Sequence, residues 1–373
     1  MGTKKTRFIG IDLAKRTYVA RMEDPDQLRS ETWTGKTDEQ GISNLLRKMA
    51  STDRIAMECC AFAFFLAKRI KQDVGCEVYV LNAGQLAIIY KSTKKTDLED
   101  AAKLTWLLQR FPIEELPTVS LPTQQEEHRR AIVSELRFKK QQRTRLINRL
   151  HSLFVRIGVT DILKKDLRTE ENRVEKIERF LEGYTKTEAS RIQCELNLLE
   201  QHIRSIEQEI SDDLKEDPLA KYLLSVPGVG KASAMAFLAH VGDGSRFSNG
   251  RQVAYFVGIT PRVDCSGDTV RLGNITKRGC VAIRALIIQA AWAAVHSSQD
   301  NSLKTKYKEL SARRGKGIAI VAIGRRLLEL MWIVVTRKEL FNGTTEEMLN
   351  LKLRRLGMVS DSKKKTRKVD PAA

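Results

Sequence analysis

Short apolar runs alternate with amphipathic stretches over residues 1–110. The first run, Arg7–Lys15 (RFIGIDLAK), is bounded by charge and carries apolar residues around one glycine, a pattern that is typical of a buried strand. Such alternation predicts an α/β sheet with helices packed against it. Further strands are predicted at Thr17–Glu23, Glu31–Thr34, Arg54–Cys59 and Glu77–Asn82, and helices at Gln40–Met49, Phe62–Ile70 and Asp97–Gln109.

The pattern changes over residues 111–216. Three prolines interrupt Phe111–Pro122, so a linker or a crossing segment is predicted there. Gln124–Ile157 contains no Pro or Gly and predicts one long helix, and Lys186–Leu214 predicts a second. The second helix carries a heptad seam, which indicates an antiparallel helical hairpin or a dimerising coiled coil. The seam residues are Ile192, Leu196, Leu199, Ile203, Ile206 and Ile210.

The last part of the chain predicts a mostly helical domain. Residues 217–352 combine apolar helical segments with one Gly-rich loop. Residues 353–373 include KKKTRK and predict a basic tail without fixed structure. The expected organisation is therefore an α/β domain over 1–110, a linker and long helices over 111–216, a helical domain over 217–352 and the tail.

The chain is strongly basic, with 65 Lys and Arg against 46 Asp and Glu and a formal net charge of +19. Such a charge calls for a polyanion or an anionic membrane as partner. A membrane is not expected, because the apolar run Ile318–Val335 is interrupted by Arg325, Arg326 and Glu329. No signal peptide is expected, and six scattered cysteines predict neither a zinc site nor disulfides. We therefore expect a cytoplasmic protein that binds nucleic acid.

Four carboxylates are candidates for a metal site. Asp12 and Glu58 end two predicted strands, and strand ends are where α/β sheets hold their sites. Asp97 and Asp100 lie at i and i+3 on one face of a helix that Thr96 can cap. Carboxylates in this arrangement can bind one or two Mg²⁺ ions that hold a scissile phosphate. Taken singly, Asp97 and Asp100 are also ordinary first-turn acids, and Glu58 an ordinary strand-end residue.

Three segments carry candidate nucleic-acid contacts. Arg129–Arg149 has eight basic residues and one acid, which favours phosphate contact over a solvated helix face. Leu223–Asp243 holds Pro-Gly-Val-Gly between apolar segments, the helix–hairpin–helix pattern that binds phosphate through backbone N–H groups, although a plain helical turn is the alternative. Phe256–Gly279 mixes small residues with cations. The candidate residues are Arg129, Arg130, Arg137, Lys139, Lys140, Arg143, Gly228, Gly230, Lys231, Arg262, Arg271, Lys277 and Arg278.

Ser266 precedes a glycine in the third of these segments. A serine in such a loop is exposed and open to close approach, as a nucleophile must be. The cations around it could stabilise charge on a pentavalent phosphate. From composition alone Ser266 is more often a turn residue than a nucleophile, because no histidine lies in Phe256–Gly279 to act as its base.

Taken in order, these motifs resemble one family. The chain is similar to transposases of the insertion-sequence one-ten group, which also includes the Piv and MooV site-specific DNA invertases. The resemblance covers nearly the whole chain and departs from the family at residues 265–268, which read CSGD where the family typically reads SSGG. It rests on Asp12 and Glu58 at strand ends, then KKTDLEDA (Lys94–Ala101), LLSVPGVG (Leu223–Gly230) and VGITPRVDCSGDTVRLGNITKRG (Val257–Gly279).

The resemblance implies a RuvC-like domain of the RNase H fold, with Asp12, Glu58, Asp97 and Asp100 as its metal ligands. It also implies a C-terminal transposase domain in which Ser266 is the nucleophile. Such an enzyme cuts and rejoins DNA through a 5′-phosphoserine intermediate with Mg²⁺ as cofactor. The implied partners are donor and target DNA, a non-coding bridge RNA, and further copies of the chain in a dimer or a tetramer built as a dimer of dimers.

Three other interpretations stay open. The first is a junction-resolving nuclease that uses the carboxylates and a metal-activated water, with Ser266 structural. The second is a site-specific DNA invertase that works without a guide RNA. The third is a DNA- or RNA-binding protein without catalytic activity. Covalent attachment to DNA separates the resemblance-based hypothesis from the first and third of these.

Overall fold

The computed structural model of the protein describes residues 6–82, 84–86, 96–266, 269–298 and 300–359. The chain divides into two units, Met1–Thr123 and Gln124–Ala373. Several residues of the predicted motifs lie outside the described residues: Lys94 and Lys95, Gly267 and Asp268, and the basic tail from Ser360 onward.

Unit 1 is built on a mixed six-stranded sheet. Its strands are β1 Phe8–Leu13, β2 Thr17–Asp24, β3 Arg29–Lys36, β4 Arg54–Glu58, β5 Glu77–Leu81 and β6 Thr118–Val119. Their order across the sheet is β3-β2-β1-β4-β5-β6. The strands β1, β4 and β5 run parallel, and the others pair antiparallel with their neighbours. The α/β sheet predicted from the apolar runs is confirmed.

Helices pack on both faces of this sheet. They are α1 Glu39–Leu46, α2 Ala61–Asp73 and α3 Asp97–Arg110. Ile9 and Ile11 of β1 belong to the core beneath α1 and α2, whereas Ala56 of β4 belongs to a second core with Leu104 of α3. Because successive residues of a strand face opposite sides, Gly10 lies on the side of α3.

The segment Phe111–Pro122 is part of the sheet and not a free linker. It contains a 3₁₀ turn, Ile113–Glu115, followed by β6, in which Val119 pairs with Val80 of β5. The proline spacing indicated irregular backbone correctly, but a two-residue strand at the sheet edge fits between Pro117 and Pro122 without needing their missing N–H groups.

Unit 2 begins with the two long helices. They are α4 Gln124–Arg156 and α6 Gly183–Glu216, with the shorter α5 Glu170–Phe180 between them. They run antiparallel within one chain, since Arg149 near the end of α4 pairs with Glu188 near the start of α6, and Lys140 pairs with Glu207 further along. The heptad seam faces α4, and most of its residues are buried.

A helical core follows the hairpin. Its helices are α7 Ala220–Ser225, α8 Lys231–His240, α9 Gly250–Val257, α10 Val281–Val295, α11 Ser302–Arg314, α12 Lys316–Arg337 and α13 Glu346–Arg355. The apolar run Ile318–Val335 is α12, whose Ile323, Leu327 and Met331 are fully buried among the other helices. In the part of the chain that the structure describes, no helix is long and apolar enough to cross a bilayer.

The Gly-rich loop predicted after α9 is a two-stranded antiparallel sheet. Its strands are β7 Pro261–Ser266 and β8 Thr269–Ile275. Their register pairs Asp264 with Arg271 and Ser266 with Thr269. Val263 and Leu272, another cross-strand pair, show that apolar and polar residues alternate here, a period-two pattern that the glycines on either side obscured. We call β7 and β8 the serine hairpin.

Candidate active site and nucleic-acid interface

Asp12 and Glu58 lie at equivalent positions on neighbouring parallel strands. The register of β1 and β4 pairs Gly10 with Ala56 and Ile11 with Met57, so Asp12 and Glu58 come next at the carboxyl end. Neighbouring strands are about 4.8 Å apart. Because residues two apart in a strand share a face, both carboxylates lie on the side of the sheet that α3 covers.

Helix α3 packs unusually close to β1. A Cβ atom at Gly10 would overlap the Ala101 carbonyl oxygen and the Thr105 backbone. The Gly10 N–H instead donates to the Thr105 hydroxyl at 2.9 Å, and that hydroxyl lies 3.0 Å from the carbonyl oxygens of Arg21 and Ala101. A lone glycine in a strand often marks such an approach.

The start of α3 lies toward the carboxyl end of β1. Farther along the helix, Gln109 donates to Glu23 at 2.7 Å, and Glu23 pairs with Phe8 at the beginning of β1. The helix therefore runs opposite to the strand. Asp97 precedes Ala101 by one turn on the stripe that faces Gly10, so it extends toward the level of Asp12.

The predicted N-cap is confirmed. The Thr96 hydroxyl accepts the Glu99 N–H at 3.3 Å, which starts the helix with Asp97 and Asp100 in its first turn. Acidic residues in the first turn interact favourably with the positive end of the helix dipole. Asp100 also accepts a hydrogen bond from Lys103 at 2.5 Å.

The four carboxylates are close enough to interact electrostatically. Burial raises the pKa of the Asp12 carboxyl, and repulsion from Asp97, Asp100 and Glu58 raises it further. A negative charge on Asp12 is therefore disfavoured by three carboxylates from β4 and α3, the same residues that the sequence predicts as its partners. We call these four residues the acidic set.

The acidic set fits a divalent cation by its chemistry. Hard cations such as Mg²⁺ prefer carboxylate oxygens, and a positive ion would relieve the repulsion at Asp12. Among the described residues, however, no three Asp, Glu, His or Cys side chains are gathered closely enough to ligate one ion. Coulomb repulsion acts over longer distances than metal–ligand bonds. The three carboxylates can therefore raise the pKa of Asp12 without lying close enough to bind one ion together with it.

Ser266 ends strand β7 in unit 2. Its neighbour Cys265 is exposed, as are the hairpin cations Arg262 and Arg271. After β8 the chain crosses back to α10 through the exposed Lys277 and Arg278. Lys277 adopts a left-handed φ of 55°, which is uncommon for a residue with a side chain.

The helix–hairpin–helix segment folds as a tight turn between α7 and α8. Gly228 has a φ of 79°, and a Cβ there would overlap the Ala290 carbonyl oxygen of α10. The Gly230 N–H donates to the Ser233 hydroxyl at 2.9 Å, so this amide already has a partner within the protein. Lys231 donates to Ser211 at 2.7 Å. The turn and α10 line a cavity of about 310 Å³.

The basic residues of α4 divide into two groups. Arg129 is buried and pairs with Asp213 and Asp217 at 2.6 and 2.8 Å, so the predicted phosphate contact does not hold for it. Arg130 donates to the Ala239 carbonyl at 2.7 Å. Arg129 is paired because the start of α4 packs against the end of α6, where Asp213 and Asp217 face it.

The remaining basic residues of α4 are at least partly exposed. Lys140 pairs with Glu207 at 2.7 Å, and Lys139 lies 3.5 Å from the His202 ring. Arg137 and Arg143 show no ion pair among the described residues. These four side chains stay candidates for phosphate contact.

Two family models match the chain. A model of the DEDD transposases of IS110 elements matches residues 9–158, and one described as transposase IS116/IS110/IS902 family matches residues 220–308. Together they cover more than half of the sequence. The chain belongs to the IS110 family of transposases.

Two curated transposases match this chain over most of its length, and a third matches about half of it. A probable family 20 transposase of Pseudomonas aeruginosa is 26% identical over 88% of this chain and 97% of its own length. The transposase of insertion sequence element IS1328 from Yersinia enterocolitica is 24% identical over 90% and 98%. The transposase of IS1111A from Coxiella burnetii is 30% identical over 53% and 56%.

The two family matches divide the candidate residues between them. The DEDD transposase match contains the whole acidic set, and the second match contains the helix–hairpin–helix turn and Ser266. This IS110-family chain is therefore a DNA transposase with an α/β DEDD domain. Its family membership supports a divalent metal and a DNA substrate in general terms.

Some residues that shape the site were not predicted from the sequence. Gly10 and Thr105 hold α3 against β1. Arg284 of α10 contacts the segments that lead into and out of the serine hairpin, residues 257–260 and 276–279, which we call its two stems. The glycine inside the first strand was the available signal, because a lone strand glycine suggests close backbone approach. Nothing local marked Thr105 or Arg284, whose partners are distant in sequence or belong to the backbone.

Proposed function

We propose that the chain is an RNA-guided DNA recombinase that cuts and rejoins DNA through a 5′-phosphoserine intermediate at Ser266. Its α/β unit acts as a RuvC-like domain, with Mg²⁺ held by Asp12, Glu58, Asp97 and Asp100. The observation that carries the proposal is the placement of Asp12 and Glu58 at neighbouring strand ends under the first turn of α3, where the other carboxylates raise the pKa of Asp12. Family membership and a transposase-domain match that includes Ser266 support the second half.

The chemistry is a pair of transesterifications. The Ser266 hydroxyl oxygen attacks the scissile phosphorus, and the bond from phosphorus to the 3′ oxygen breaks. The serine proton passes to the acidic set, and the departing 3′ oxygen takes up a proton. A 3′ hydroxyl of the other DNA strand then attacks the phosphoserine, restoring the serine and a phosphodiester. The ester keeps the bond energy, so rejoining needs no ATP.

The residues of the acidic set would hold Mg²⁺ against the scissile phosphate. When bound, such an ion supplies charge stabilisation for the phosphorane and lowers the pKa of an oxygen nucleophile. Arg271, which pairs with Asp264 near Ser266, and Lys277 and Arg278 at the base of the serine hairpin position phosphates of the DNA by charge. Asp12 lies in unit 1 and Ser266 in unit 2. The proposed mechanism requires both residues to act on the same phosphodiester, whether they come from one chain or from two.

Nucleic acid and further copies of the chain are the proposed partners. The net charge of +19 suits a large polyanion, and the exposed cations of α4 and the serine hairpin are the proposed contacts. A bridge RNA that directs the enzyme to donor and target DNA, and assembly as a dimer or tetramer, follow from the family resemblance. The setting is the cytoplasm, at the nucleoid.

Denaturing electrophoresis tests the proposal. Protein purified with its co-purifying RNA is incubated with Mg²⁺ and a plasmid that carries the encoding insertion element with its flanks. A protein–DNA adduct is expected with the wild type and absent with Ser266→Ala and Asp12→Asn. Nicked ends that persist in Ser266→Ala without adduct would instead identify a junction-resolving nuclease, and binding without cleavage a non-catalytic protein.

A second arm of the same experiment tests RNA guidance. The co-purifying RNA is removed with ribonuclease and the protein is assayed again on the same plasmid. Loss of the adduct, with recovery when the RNA is added back, is expected. An undiminished adduct would identify an invertase-like recombinase that recognises DNA without a guide.

A further inference from the structure

Arg284 joins both ends of the serine hairpin. It lies in the first turn of α10, and one of its terminal nitrogens donates to the Val257 carbonyl at 2.8 Å. The same nitrogen lies 3.3 Å from the Arg278 carbonyl and 3.5 Å from the Gly279 carbonyl. Val257 leads into β7, and residues 278 and 279 follow β8. One guanidinium therefore contacts the entry and the exit of the hairpin.

The two stems cross tightly where Arg284 holds them. The Thr276 N–H donates to the Thr260 carbonyl at 2.9 Å, and the Lys277 N–H to the Gly258 carbonyl at 3.1 Å. A Cβ at Gly258, which has a φ of 75°, would overlap the Arg278 carbonyl. This crossing excludes side chains and requires left-handed backbone.

The crossing also fixes Lys277 in its unusual conformation. A residue with a side chain at a φ of 55° is held there only when its surroundings define it fully. Two contacts hold it there: the hydrogen bond from the Lys277 N–H to the Gly258 carbonyl, and the contact of Arg284 with the Arg278 carbonyl. Arg284 thus contributes to fixing the backbone of Lys277 and Arg278, two candidate phosphate-binding cations.

Small movements at this crossing become large at Ser266. The strand from Pro261 to Ser266 is roughly 17 Å long at about 3.3 Å per residue, so a tilt of about 10° at its base moves the far end by roughly 3 Å. A nucleophile displaced by about 1 Å already loses about a hundredfold in rate. The position of the serine therefore depends on the rigidity of the stems.

We propose that Arg284 is a positioning residue for the nucleophile: by bridging the Val257, Arg278 and Gly279 carbonyls it fixes the serine hairpin at the angle that strand cleavage requires. This inference rests on the proposed function of Ser266. An ordinary helix C-cap for α9 would need only the Val257 carbonyl. The contacts with the second stem are what a purely local cap does not explain.

Variants at residue 284 test the inference on the element-bearing plasmid used above. Arg284→Ala should leave DNA affinity within about twofold of the wild type while the first-order rate of adduct formation at saturating protein falls about a hundredfold. Arg284→Lys, which keeps a cation near Val257 and is expected to fold, should lose about tenfold in the same rate. Arg251→Ala, an exposed arginine of α9, is the matched control and should keep the wild-type rate.

Amide hydrogen exchange tests whether Arg284 rigidifies the two stems, independently of its effect on catalysis. Exchange at the Thr276 and Lys277 amides should speed up in both Arg284 variants and stay unchanged in Arg251→Ala. Exchange at the wild-type rate at these amides in the Arg284 variants would show that Arg284 does not rigidify the stems. Faster exchange with an unchanged adduct rate, or an equal loss of affinity and rate, would refute the positioning role. Absence of any Ser266 adduct in the wild type would refute the proposed function, and the positioning role with it.

Discussion

Asp12 is held in the folded protein at a raised pKa, because burial and three neighbouring carboxylates disfavour its charge. Between its unfolded and folded pKa values the native state binds more protons than the unfolded state. Stability therefore falls as pH rises through this window and stays lower above it. At neutral pH the charge of Asp12 therefore lowers the stability of the native state, but it also concentrates negative charge at one site, which cation binding requires.

Removing that charge should stabilise the metal-free protein. Asp12→Asn is expected to raise the midpoint of thermal unfolding at neutral pH, and its advantage over the wild type should shrink as pH falls through the raised pKa of Asp12. Added Mg²⁺ should stabilise the wild type but not the variant. The measurement is calorimetry with and without Mg²⁺.

Glu99→Gln is the matched control for this prediction. Glu99 is an exposed acid in the same helical turn, but it lies outside the acidic set. The control should lose slightly in stability, because its first-turn carboxylate no longer interacts with the helix dipole, and should keep a wild-type response to Mg²⁺. If both variants behave alike, or if Asp12→Asn lowers the midpoint without metal, the repulsion argument is wrong.

The packing of α3 on β1 is the element-level feature that brings the acidic set together. Gly10→Ala should lower the free energy of unfolding by about 1–3 kcal/mol, because the new methyl group overlaps the Ala101 carbonyl and forces α3 away. The same variant should weaken the response to Mg²⁺. Chemical denaturation measures the first effect and thermal shift the second.

Gly317→Ala serves as the control for that substitution. A Cβ at Gly317 meets nothing within 4 Å, and its helix should gain slightly from alanine. A Gly10→Ala protein as stable as Gly317→Ala would show that the close approach of α3 is not required.

The hairpin of α4 and α6 separates structural from functional cations. Arg129→Ala should lower stability by about 3–5 kcal/mol, because it removes a buried guanidinium and leaves the partly buried Asp213 and Asp217 without their counter-charge. Arg137→Ala should change stability by less than about 0.5 kcal/mol. It should instead reduce the salt dependence of DNA binding, lowering the slope of log K against log salt by about 1. The reverse assignment of these two effects would contradict the burial pattern.

Helix periodicity predicted the long elements well, and local patterns predicted the irregular ones poorly. The boundaries of α4 and α6 follow from uninterrupted apolar spacing, and the convergence of Asp12 with Glu58 follows from their shared place at strand ends. The burial of Arg129 could not be predicted, because its acidic partners lie more than eighty residues away. The strand β6 and the serine hairpin were missed because prolines and glycines obscured short pairing segments.

Across the full chain, the proposed mechanism combines the acidic set of one unit with a serine of the other. Each half has a recognisable family match, and neither half alone performs both cleavage and rejoining by the proposed route. The junction-resolving nuclease needs only the first half. The difference between the two therefore lies in whether the protein becomes covalently attached to DNA, and through which residue.

Mass spectrometry of the trapped adduct identifies the residue that becomes attached to DNA. After incubation of the wild-type protein with the element-bearing plasmid and Mg²⁺, the DNA is digested with nucleases and the modified peptide is sequenced. The proposed mechanism predicts a nucleotide attached through its 5′ phosphate to the hydroxyl of Ser266. Attachment to Cys265 or another residue, or cleaved DNA ends without any modified peptide, would contradict it.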